Sequence, residues 1–80
     1  MFNQILNTME NIMNLLESEE LVEMETDREM LSISFRKFFG TEKEFLFILN
    51  CKPIFDCKTK KTAIKKIDSF IDKGFKLTNI

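Results

Sequence analysis

Histidine, tryptophan and tyrosine are absent from this chain of 80 residues. The first absence removes the commonest general base at neutral pH and the commonest metal ligand. Glycine occurs only at positions 40 and 74, too far apart to form a glycine-rich phosphate loop. A calcium loop needs a glycine among alternating oxygen ligands, and the acidic run Glu23-Met24-Glu25-Thr26-Asp27 has none. The two cysteines, Cys51 and Cys57, are too few for a disulfide scaffold. With no histidine and no second cysteine pair they cannot close a four-ligand zinc site within one chain. Neither thiol has an adjacent imidazole to activate it as a nucleophile. They are expected to be free, buried structural thiols in a reducing cytoplasm, pairing only if a tight hairpin brings them together. No apolar run approaches the ~20 residues of a membrane span. The first residues lack the basic-then-apolar layout of a signal peptide. No membrane partner, cofactor, metal or catalytic residue is therefore expected.

What remains is ordinary for a small folded domain: 44% hydrophobic residues, 31% charged, and a net charge of −1. The chain is too short for two cores, so residues 1–80 are read as one domain. Phenylalanine (nine residues), isoleucine, lysine and asparagine are abundant while alanine occurs once, as expected of an AT-rich gene. The near-neutral total conceals a segregation of charge. Residues 1–30 carry eight acids against Arg28, a balance of −7; residues 31–80 carry eleven bases against five acids, a balance of +6. Such segregation either steers partners or is neutralised within the fold.

The spacing of Phe2, Ile5, Leu6, Met9, Ile12, Met13 and Leu16 predicts a helix over residues 3–18, its apolar stripe packed on a sheet. From Leu21 the period changes to two. Val22, Met24 and Thr26 alternate with acids, and after a turn at Thr26–Glu29 the alternation resumes through Leu31, Ile33 and Phe35. Two strands of one hairpin are predicted. The Lys37-Phe38-Phe39-Gly40 stretch breaks the alternation, which suggests a bulge or a bend before a turn, with Gly40 supplying the backbone freedom. A third strand follows over residues 43–51. It is apolar on both faces, with Phe45, Phe47, Leu49 and Cys51 on one and Leu46 and Ile48 on the other. Asn50-Cys51-Lys52-Pro53 reads as a turn, and residues 54–58 as a short edge strand.

Thr59 is placed to cap a last helix whose buried stripe is Ala63, Ile64, Ile67, Phe70 and Ile71. Gly74 occupies the left-handed position that ends it, and Phe75 is expected to fold back onto the stripe. The residues after it form a short extension or fray. The fold class is α+β: an N-terminal helix, a four-stranded antiparallel meander and a C-terminal helix (α-β-β-β-β-α), with both helices on one sheet face.

Three surfaces are candidates for function. The acidic set Glu17, Glu19, Glu20, Glu23, Glu25, Asp27 and Glu29 offers a negative face to a basic groove on a larger protein, such as a nucleic-acid enzyme or a defence complex. Phe38, Phe39, Leu46 and Ile48 form an apolar patch if the helices cover the opposite sheet face, a basis for contact with a partner or for a homodimer. The lysines Lys58, Lys60, Lys61, Lys65 and Lys66, with Lys73, could track phosphates along the last helix, which gives nucleic-acid binding as the alternative. The leading expectation is a non-enzymatic protein-binding module, a small cytoplasmic inhibitor or accessory protein that forms a homodimer. In size and composition it is similar in character to the accessory, anti-defence proteins of bacteriophages and mobile elements.

Overall fold

The computed structural model describes residues 4–38 and 40–78, with side chains from residue 9 onward. Phe2 of the first stripe and Phe39 of the apolar patch fall outside the described residues, as do the side chains of Ile5 and Leu6. The elements are α1 (Gln4–Ser18), β1 (Leu21–Glu25), β2 (Met30–Arg36), β3 (Glu44–Leu49), β4 (Lys52–Cys57), α2 (Lys60–Asp72) and a two-residue β5 (Lys76–Leu77). The sheet is antiparallel throughout, in the order β4-β3-β2-β1-β5. The predicted α+β meander is present, widened by β5. That strand comes from the segment read as an extension, which folds back to pair with β1 through Met24–Leu77 and Glu25–Lys76.

The period-two pattern sends alternate residues of every strand to one side. Val22, Met24, Leu31, Ile33, Phe45 and Phe47 are buried together with Ile12, Met13 and Leu16 of α1, with Ala63, Ile67 and Phe70 of α2, and with Phe75. Both helices therefore cover the same sheet face. Ring pairs tie the layers together: Phe47 stacks on Phe70 of α2 at 6.3 Å and meets Phe55 of β4 edge-on at 5.6 Å. The core is entirely apolar, with no buried polar or charged side chain among the described residues.

The caps of α2 follow the sequence reading. The Thr59 hydroxyl accepts the Thr62 N–H at 3.3 Å. At the other end Gly74 takes a φ of 98°, its N–H donates to the Ile71 carbonyl, and the Phe75 N–H donates to the Phe70 carbonyl. These two hydrogen bonds back into the last turn bring the Phe75 ring against Phe70, at 5.1 Å and nearly perpendicular. A Cβ at Gly40 would meet nothing within 4 Å, so space alone does not call for glycine there.

The β3–β4 connection is tighter than predicted. Leu49 pairs with Lys52, so only Asn50 and Cys51 form the loop, and Lys52 and Pro53 belong to the strand. Both loop residues are left-handed, with φ of 50° and 70°. A two-residue loop of this kind matches the right-handed twist of its strands and favours Asn-Gly. Asn50 suits the position. Its side-chain oxygen also accepts the Met30 N–H, while its own N–H donates to the Met30 carbonyl, which ties this turn to the start of β2. Cys51 stands where glycine would be unstrained, and it is exposed rather than buried as predicted. Cys51→Gly is accordingly expected to stabilise the domain by about 1 kcal/mol, the cost of a left-handed non-glycine residue. A rise in the urea midpoint at unchanged slope would show it. A fall would mean that the Cys51 side chain contributes more than its backbone conformation costs.

Candidate functional site

The three candidate surfaces fare differently once the chain is folded. The acidic set does not form one patch. Glu17 and Glu19 lie at the end of α1, and Glu20 enters β1 with a left-handed φ of 64°. Glu23 and Glu25 lie along β1 on the sheet face away from the helices, as their alternation with Val22 and Met24 requires. Asp27 and Glu29 occupy the β1–β2 turn at the strand's far end. There the Thr26 hydroxyl accepts the N–H groups of Arg28 and Glu29.

Glu17 and Glu20 are paired with the basic half of the chain. Glu17 pairs with Lys60 of α2 at 2.7 Å, and Glu20 with Lys43 at 3.2 Å. The hydrogen bond from Lys60, and then its charge, hold the Glu17 carboxyl below the usual carboxylate range. A lowered carboxyl pKa favours the fold at neutral pH, and the contribution fades as acid protonates Glu17. Both partners are well exposed, so the pair is a weak clasp between α1 and α2.

The lysines are similarly divided. Besides Lys60, Lys66 lies over the Phe55 ring at 4.9 Å and the Phe70 ring at 5.7 Å, and Lys73 lies over Phe70 at 5.3 Å. These heads sit on the edges of the helix layer, where ring faces attract them. Lys61 and Lys65 are exposed on α2, and Lys58 is exposed just before it.

The apolar patch is on the opposite side. Leu46 and Ile48 point away from the helices because Phe45 and Phe47, their neighbours in β3, point toward them. No element of the described chain packs over this second sheet face. Reading across the ladder, one row is Leu21, Ser34, Leu46 and Asp56, and the next is Glu23, Ser32, Ile48 and Pro53. Leu21, Leu46 and Ile48 are half-buried, while Met30 and Ile54 are 45% and 44% exposed. Ile54 is displaced by a register shift in β4 opposite Phe47 and Ile48. Phe38, beyond the end of β2, joins Leu46, Glu44 and Asp56 in lining a hollow of about 320 Å³. Sequence reasoning missed Leu21, Met30 and Ile54 as members of this face. The alternation assigned Leu21 no side, and the shift that exposes Ile54 has no signature in its letters.

The face has a charged frame. Glu23, Glu25, Glu44 and Asp56 stand on it against Arg36, the register partner of Glu44, and Lys76, the register partner of Glu25. The sheet face is therefore framed by acids from both halves of the sequence, Glu23 and Glu25 from the first and Glu44 and Asp56 from the second. The largest hollow among those described, about 700 Å³, lies beside β5. Glu25, Asp27, Lys73 and Lys76 line it, so its charges are mixed.

The cysteines are unpaired. Cys51 is in the β3–β4 loop, and Cys57 is half-buried at the end of β4, its thiol donating toward the Thr59 carbonyl at 3.8 Å. Burial, and secondarily the charge of Asp56, push the Cys57 thiol above its ordinary pKa, which makes it a poor nucleophile at neutral pH. No cluster of three metal-ligating side chains forms among the described residues, and no described helix is long and apolar enough to cross a membrane. The chain matches no protein-family model, and neither a curated protein nor a solved structure is significantly similar to it. Its function is therefore argued from these surfaces.

Proposed function

We propose that this chain is a non-enzymatic protein-binding module, an inhibitor or accessory subunit, that engages a larger protein through the helix-free face of its sheet. The observation behind this reading is that β3 is apolar on both faces while the helices cover only one. Leu21, Leu46, Ile48, Ile54 and Phe38 remain at the surface around the small floor of Ser32 and Ser34. A sheet face of this composition gains when something covers it, at about 25 cal/mol for each Å² of apolar surface removed from water.

Charge selects the partner. Acids outnumber bases on this face, Glu23, Glu25, Glu44 and Asp56 against Arg36 and Lys76, so a second copy of the same face would bring one net negative surface against another. A partner surface with an apolar centre and basic rim meets no such penalty. The acidic hairpin contributes to this contact through Glu23 and Glu25, which share the face with the apolar residues. The edge of β4 is a poorer docking element, since Pro53, Lys52 and the register shift all oppose strand addition.

The test is to recover the bound protein from the native host and measure its affinity for two double variants. Leu46→Glu with Ile48→Glu is expected to weaken binding at least about tenfold, and Lys61→Glu with Lys65→Glu to leave it within about twofold. Thermal melts of both variants check that the fold survives. The reverse pattern, accompanied by a steep salt dependence and recovered nucleic acid, would replace this reading with phosphate tracking by α2. A dimer in light scattering that dissolves in the Leu46/Ile48 variant would assign the face to a second copy instead.

A further inference from the structure

Resting on the protein-binding reading, we infer that the hollow formed by Phe38, Glu44, Leu46 and Asp56 is the receiving pocket for an arginine side chain of the partner. Its walls combine the two chemistries that arginine carries. The Phe38 ring and the Leu46 side chain supply apolar surface for the methylene stem, and an aromatic face on which a guanidinium plane can stack. Glu44 and Asp56 supply two carboxylates from adjacent strands. The register fixes them: Asp56 lies directly across from Leu46, and Glu44 is two residues before Leu46 on the same face of β3. A forked donor can bond to two separate acceptors at once, whereas a lysine ammonium presents a point charge with no such plane.

At about 320 Å³ the hollow has room for one long side chain. The chain's own guanidinium does not fill it. Arg36 stands across from Glu44 in the ladder, but it is exposed and lies outside the lining of the hollow. On the other side of Glu44, Lys58 lines a separate, smaller hollow with Glu42. Among the described residues the lining itself carries two carboxylates, Glu44 and Asp56, and no basic side chain, which favours an incoming cation.

The probe is a capped tripeptide, acetyl-Ala-Arg-Ala-amide, titrated into the isotopically labelled full chain and followed by amide chemical shifts. Its control is the citrulline twin, which keeps the shape and loses the charge. The arginine peptide is expected to shift the amides of Phe38, Glu44 to Leu46 and Asp56, and the citrulline peptide to bind about tenfold more weakly. Glu44→Gln with Asp56→Asn, two isosteric surface changes, is expected to bring the arginine peptide down to the citrulline level. Asp68→Asn on the outer face of α2 should change nothing. Equal binding of the two peptides, shifts that map to the Glu25–Asp27 turn, or no shifts at all would each overturn the pocket. The protein-binding reading is judged separately, by the Leu46/Ile48 variant against the captured partner, so the pocket can fail while the face stands.

Discussion

Phe47→Ala is expected to destabilise the domain by about 3–5 kcal/mol, while Ile48→Ala, one residue further along the same strand, should cost less than about 1 kcal/mol. Phe47 is fully buried, stacks on Phe70, meets Phe55 edge-on and lies opposite Ile33 in the ladder. Truncation there removes the transfer free energy of the ring and leaves a cavity bounded by three elements that cannot collapse onto it independently. A domain of this length has a total stability of about 4–12 kcal/mol, so the variant should be largely unfolded at modest urea concentration. Ile48 faces the uncovered side, where part of its surface is already in water and no second layer is left facing a void. Urea unfolding of the two variants measures the contrast directly. Comparable losses would show that a layer packs on the second face, and the binding surface would have to be sought elsewhere.

That contrast also shows what the letters could convey. The alternation in residues 43–51 announces a strand apolar on both faces, and the short connections announce a meander. Together they predict an uncovered face before any coordinate is known. Thr59 and Gly74 were legible because each is a local chemical requirement, a hydroxyl for an orphan amide and a residue free to take a positive φ. The features that escaped depend on contacts distant in sequence. β5 is two residues long and exists because Lys76 and Leu77 find Glu25 and Met24 about fifty positions earlier. The two-residue loop was obscured by Pro53, which reads as turn chemistry yet sits in an edge strand, where its missing N–H is tolerated. Cys51 was counted with the inward row of β3, and the tight turn removes it from that row.

The candidate site was legible in kind more than in membership. Leu46 and Ile48 share the helix-free face because side-chain direction in a strand follows from position alone, and Phe38 lines a hollow beside Leu46. The acidic run could not be placed the same way. Its residues span a helix end, a strand and a turn, three elements with different directions, so adjacency in sequence became dispersion in space. Charge segregation was visible as a sum but not as a layout. Glu17 finds Lys60 only after α1 and α2 settle on the same sheet face, and Glu20 finds Lys43 only after β1, β2 and β3 pair. The acids left on the opposite face are those whose strand parity sends them there.

Phe70→Ala should produce a loss of about 3–5 kcal/mol, similar to that of Phe47, and the smaller change Phe70→Leu shows why. Phe70 is the point at which α2 is held to the rest of the molecule. Its ring stacks on Phe47, receives Phe75 edge-on, and lies beneath Lys66 and Lys73. Aromatic pairs of this geometry contribute about 0.5–1.5 kcal/mol beyond the area they bury. Phe47→Leu and Phe70→Leu, singly and together, should therefore show a coupling of about 0.5–1.5 kcal/mol in a double-mutant cycle, with all three variants still folded. An additive pair would mean that the two rings contribute only bulk. The cycle bears on function as well. With Phe70 replaced by leucine, Lys66 keeps the Phe55 face while Lys73 loses its ring. If α2 were a phosphate-tracking helix, freeing that lysine would strengthen nucleic-acid binding. If the sheet face is the working surface, partner affinity should stay unchanged while stability falls.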